Sequence, residues 1–78
     1  MQAVTLYSTW GCHLCEEAES LLKQAAVNFQ LVDIVDDEQA FAAFRLHIPV
    51  VAIEQQYLYW PFDLDALTAF VKTHSNKG

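Results

Sequence analysis

The sequence predicts a single α/β domain in the order β-α-β-α-β-β-α, with one mixed sheet of four strands and helices on both of its faces. Three observations carry this. Short β-branched and aromatic runs alternate with stretches whose apolar residues recur every three to four positions. A strand–helix–strand unit opens the chain, and such a unit requires a right-handed crossover and a parallel pair. Two apolar runs near the end, "IPVVAI" and "YLYW", are separated only by "EQQ", which reads as a hairpin turn and adds antiparallel strands.

The elements follow in order. "AVTLY", residues 3–7, alternates along its length and reads as the first strand. After the turn-like "STWG", the residues Leu14, Ala18, Leu21, Leu22 and Ala25 fall on one face of a helix. Glu16, Glu17 and Glu19 sit in its first turns, where the positive end of the helix dipole favours acids. "NFQLVDIV", residues 28–35, is the second strand; it is apolar on both faces, which predicts cover by helices. "DDEQAFAAFRL" is a short second helix capped by Asp36 or Asp37, with Phe41 and Phe44 as its buried stripe. The third strand begins with a proline, one of the few places a strand tolerates one. "YLYW" is the fourth strand and Pro61 ends it. Asp63 caps a last helix whose apolar face is Leu64, Leu67, Phe70 and Val71. Residues 74–78 read as a frayed tail.

The chain has 78 residues, of which 54% are hydrophobic, with two Trp, three Tyr and five Phe. That suffices for one compact core without staples. Four basic against ten acidic residues give a formal charge of −6. Nucleic acid and anionic membrane surfaces need a basic face, so neither is expected as a partner. No leader and no membrane-length apolar run is legible, so a cytoplasmic monomer is expected. Structural disulfides are rare in that compartment.

Cys12 and Cys15, the only two cysteines, therefore read as redox-active, as half of a metal site, or as plain core residues. Structural zinc needs four ligands, so His13, His47 or His74 would have to help, and no paired histidine spacing is present. Cu(I) needs only soft thiolates. Copper chaperones, however, follow their first helix with a hairpin, whereas "DEQAFAAF" stands here as a helix. The redox reading leads.

The element order, "CHLC" at 12–15 between the first strand and the first helix, "HIPV" at 47–50 and "WPFD" before the last helix together resemble the thioredoxin fold. "LYSTWGCHLCEEAESLL" is most similar to a glutaredoxin-like protein, and the similarity covers nearly the whole chain. The resemblance implies dithiol–disulfide oxidoreductase activity on protein or small-molecule disulfides. It implies that Cys12 is the nucleophile, that Cys15 resolves the mixed disulfide, and that Pro49 is cis and faces them. A cis Pro49 would leave the Ile48 backbone able to pair with an extended substrate as an added strand.

The residues fit this chemistry. The thiolate is the attacking species, and a free cysteine, with a pKa of roughly 8.5, is little ionised near neutrality. Cys12, at or just before the first helical turn, gains from unpaired N–H groups and the helix dipole. Cys15, one turn on, shares a side with Ala18 and Leu22 and should be more protected. His13 reads either as a donor that stabilises the Cys12 thiolate or as an exposed polar residue. Glu16 and Glu17 oppose ionisation, though solvated. Trp10 reads as a substrate wall or as an ordinary aromatic. Tyr7 reads as core. His47 reads as a contact to an extended substrate or, with more weight, as the end of a helix.

The chain departs from the family in its glutathione site. Typical members carry a basic residue shortly before the first cysteine, where "STWG" stands here, and a Gly-Gly pair near the last helix, where Trp60-Pro61 stands. Asp63 remains, and Arg45 is the one basic residue expected nearby. These departures, with the negative charge, weigh against glutathione as a co-substrate. No metal or organic cofactor is expected. A Cu(I)- or Zn(II)-binding or redox-sensing module without turnover is the alternative.

Overall fold

The structure is a computed structural model and describes residues 3–75. Its elements are β1 (Val4–Ser8), α1 (His13–Gln24), β2 (Phe29–Asp33), a 3-10 turn (Ile34–Asp36), α2 (Glu38–Phe44), β3 (Val50–Ile53), β4 (Gln56–Tyr59) and α3 (Leu64–Ser75). The strands form one sheet in the order β2-β1-β3-β4. β1 and β2 are parallel, while β3 runs antiparallel to both β1 and β4. The predicted order and mixed sheet are those observed. α3 continues through His74 and Ser75, two residues into the segment read as frayed, and residues 76–78 lie outside the described residues.

Strand alternation divides the core between the two faces of the sheet. Val4 and Leu6 of β1 and Val51 and Ile53 of β3 point to one face, where they meet Ala18 and Leu22 of α1, Leu67 of α3, and Phe62. Tyr7 and Val50 point to the other, where they meet Ile34 and the α2 residues Ala40 and Phe44. β3 is buried along its whole length because both faces are covered. Phe44 anchors the second face, with its ring 4.8 Å from Tyr7 and 5.4 Å from Tyr57. Such aromatic pairs contribute about 0.5–1.5 kcal/mol beyond their buried area. Burial and the neighbouring Tyr57 and Asp37 raise the pKa of the half-buried Tyr7 hydroxyl above its ordinary value.

The helix ends follow local chemistry. Asp37, not Asp36, caps α2 by accepting from Ala40 N–H at 3.0 Å, and Asp63 caps α3 by accepting from Ala66 N–H at 2.8 Å. α1 closes with Val27 N–H to Leu22 C=O at 3.1 Å and Ala26 N–H to Lys23 C=O at 3.0 Å. This is the left-handed Schellman closure, with Ala26 at φ 57° where glycine is usual.

Two expectations about packing need correction. β2 is not covered on both faces. The antiparallel strand β3 takes the inner place beside β1, which leaves β2 at the sheet edge with Gln30 and Leu31 exposed. Phe41 is 43% exposed, and Ala40 takes the buried place beside Phe44. α2 is only seven residues long, so one turn of it faces the sheet and the rest faces water.

Candidate functional site

The site lies at the end of the sheet where β1 runs into α1. Gly11 turns the chain with φ +79°, in the left-handed region that favours glycine; a Cβ there would meet nothing within 4 Å, so the backbone angle sets the requirement. Cys12 follows in extended conformation as the N-cap of α1. Its sulfur accepts a hydrogen bond from Cys15 N–H at 3.1 Å. A sulfur thus stands where Ser or Asp usually satisfies the orphan donors of a helix start.

Cys12 and Cys15 are joined as a disulfide, with a Cα–Cα distance of 5.2 Å. The pair is asymmetric towards solvent. Cys12 is half-buried, whereas Cys15 is 4% exposed and lies on the inward side of α1 with Ala18 and Leu22. The helical repeat produces this difference, because residue three after the cap turns back over the sheet.

A cavity of about 330 Å³ opens beside the disulfide, on the β2 side. Its wall includes Ser8, Trp10, Glu16, Glu19, Leu31 and Asp33 together with both cysteines. β1–β2 register places Asp33 beside Ser8, and both side chains reach the end of the sheet where α1 begins. A larger concavity of about 750 Å³ lies at the opposite end, between the β3–β4 turn and the end of α3, and no cysteine lines it. Both cysteines therefore lie at the smaller one.

The other residues singled out from sequence fall around this centre in different ways. Trp10 is 92% exposed, so it is a surface wall of the cavity and not core. His13 turns along the helix to Glu17, Nε2 to Oε2 3.2 Å, and does not line the cavity. Pro49 is buried; β1 and β3 pair through Tyr7 and Val50, so one further step of the register sets Pro49 against Ser8. Pro49 thus shares the disulfide's end of the sheet, on the β3 side away from the cavity. The Ile48–Pro49 and Trp60–Pro61 bonds are both cis, and Trp60 N–H donates to Pro49 C=O at 3.3 Å. Ile48 N–H donates to Phe44 C=O at 3.1 Å, so the donor of an added strand pair is already committed. Arg45 is the exposed C-cap of α2 and does not line the cavity. His47 is exposed and packs edge-on against Tyr59 at 5.6 Å.

Ser8, Glu19, Leu31 and Asp33 were not singled out by sequence reasoning. Alternation alone marks Ser8, since Val4, Leu6 and Ser8 share the buried face of β1. Among the described residues, no three His, Cys, Asp or Glu side chains are grouped as a metal site, and no helix is long and apolar enough to cross a membrane.

A four-stranded mixed sheet with α1 and α3 on one face, α2 on the other, and a Cys12–Cys15 disulfide at the start of the first helix defines a thioredoxin-like α/β domain. The family model of the Glutaredoxin-like domain (DUF836) matches residues 3–72, and the chain belongs to that family. Its structure is similar to the X-ray structure of structural genomics target protein XcR50 from X. campestris, at 40% identity and a TM-score of 0.82, covering 91% of this chain and 97% of that one. It is also similar to protein Ne2328 from Nitrosomonas europaea, at 25% identity and a TM-score of 0.67, covering 88% and 89%. A glutaredoxin from Archaeoglobus fulgidus shares the fold at 17% identity and a TM-score of 0.61, covering 99% of this chain and 89% of that one. No curated protein matches the sequence.

Proposed function

We propose that this protein is a dithiol–disulfide oxidoreductase in which Cys12 attacks and Cys15 resolves. The observation that carries the reading is the placement of the Cys12 sulfur at the N-cap of α1, half-buried and hydrogen-bonded by Cys15 N–H, above a buried Cys15. The helix start stabilises a thiolate on Cys12, and burial keeps Cys15 from competing for substrate.

In the reduced protein the Cys12 thiolate attacks one sulfur of a substrate disulfide. A Cys12–substrate disulfide forms, and the other substrate sulfur leaves as a thiolate that takes a proton. Cys15 then loses its proton and attacks the Cys12 sulfur. The Cys12–Cys15 disulfide forms and the second substrate thiolate leaves. The substrate gains two electrons, and the protein is returned to the dithiol by two electrons from a thiol or dithiol reductant. No metal or organic cofactor enters these steps.

The partner is a protein or small-molecule disulfide, taken by a monomer in the cytoplasm. Glutathione is disfavoured, because the cavity wall carries Glu16, Glu19 and Asp33 and no basic residue. Pro49 is buried at the same end of the sheet, and the Ile48 carbonyl before it is the backbone group offered to an extended substrate on the β3 side. His13 Nε2 faces Glu17, and His13 does not line the cavity.

The Cys15→Ser variant tests the assignment. Mixed with a peptide disulfide, it should accumulate one peptide bonded to Cys12, seen by mass, and release one peptide thiol. Failure to form that adduct, with Cu(I) retained by the wild-type dithiol after purification in reducing buffer, would favour a metal-binding module instead.

A further inference from the structure

We propose that the cavity beside the disulfide is a subsite for a cationic side chain, so that the preferred substrates carry a lysine or arginine next to the reacting cystine. This rests on the oxidoreductase reading and specifies its substrate class.

Three carboxylates, Glu16, Glu19 and Asp33, line the cavity, and no Lys, Arg or His does. They are not equally committed. Glu19 faces Lys23 at 3.4 Å. Asp33 Oδ1 accepts from Val35 N–H at 3.1 Å, which leaves Oδ2. Glu16 has no ion pair among the described residues. A second observation is independent of charge. Ser8, also in the wall, is 6% exposed, and its hydroxyl makes no hydrogen bond among the described residues. Buried hydroxyls are ordinarily paired, so this one is left with an oxygen able to accept from a bound group. An ammonium or guanidinium brings several donors and no acceptor, which matches a wall of acceptors.

The remaining wall suits the rest of such a side chain. Leu31 and the exposed Trp10 provide apolar surface for an aliphatic stem, and the indole face attracts a cation. The whole chain, at −6, steers cations towards itself before contact. An anionic tripeptide meets the opposite of each term.

The test uses the reduced wild-type protein and three synthetic peptide disulfides that differ only in the residue beside the cystine, lysine, alanine or glutamate. Single-turnover rates are compared. The lysine peptide should react at least about tenfold faster than the glutamate peptide at low salt, with the ratio narrowing towards unity as salt rises. Glu16→Gln should cut that ratio at least about threefold, while Glu54→Gln, on the β3–β4 turn at the far end of the sheet, should leave it unchanged. Equal rates for the three peptides would overturn the subsite while leaving the oxidoreductase reading intact. So would an equal fall in both variants, because net charge alone would then explain the preference. If no peptide reacts, the alanine peptide included, both readings fall together.

Discussion

With Cys12 replaced by serine, single-turnover exchange should fall to background, a loss of at least about a thousandfold, the scale expected when a nucleophile is removed. A hydroxyl at the N-cap of α1 still accepts the Cys15 N–H bond, so the variant should fold. It isolates the chemistry from the scaffold. Cys15 remains as a free thiol in this variant, but it is 4% exposed on the inward side of the helix. It should not take over the attack. The assay is thiol release from a peptide disulfide, run beside a far-ultraviolet spectrum. Exchange retained within tenfold of wild type would assign the attack to Cys15 and reverse the roles argued here.

Leu22→Ala should produce a large loss of stability. Leu22 is 0% exposed and packs between α1, the sheet and Leu67 of α3. Truncating such a leucine costs about 2–5 kcal/mol, partly from lost transfer energy and partly from the cavity left behind. A domain of this size has a total stability of roughly 4–12 kcal/mol, so the variant stands near the folding threshold. Urea denaturation should show a midpoint lowered by about 2 M or more, given a slope near 1 kcal/mol per molar. Leu46→Ala, on an exposed leucine after α2, serves as the comparison and should stay near the wild-type midpoint. A shift for Leu22→Ala no larger than that for Leu46→Ala would contradict the core described above.

The sequence made local features legible and left non-local ones hidden. The N-cap position of Cys12, the inward side of Cys15 and the cap of Asp63 all follow from helix periodicity and short-range hydrogen bonding. They stand in the structure as those rules place them. The exposure of β2 does not follow, because it depends on β3 inserting beside β1 on the opposite side. Phe41 was misplaced for a related reason: only the sheet above α2 decides which of its two aromatic positions is inward. His13 reads from sequence as a thiolate donor or an exposed polar residue, and in the structure it is exposed with Nε2 against the i,i+4 carboxylate of Glu17. Ile48 lost its donor to Phe44 through the tight end of α2, which no apolar pattern records. The acidic wall of the cavity is the largest omission. Glu16 and Glu19 are one turn apart on α1, but Asp33 joins them only through the parallel pairing of β1 with β2.

The central claim is a poised thiolate at Cys12 and a guarded thiol at Cys15. It is tested most directly by the alkylation rate of the reduced, metal-free protein as a function of pH, with the modified site assigned by mass. The account predicts that Cys12 reacts first, with a midpoint below the roughly 8.5 of a free thiol, and that Cys15 reacts slowly throughout. Equal rates at both cysteines, each titrating as an ordinary thiol, would contradict it.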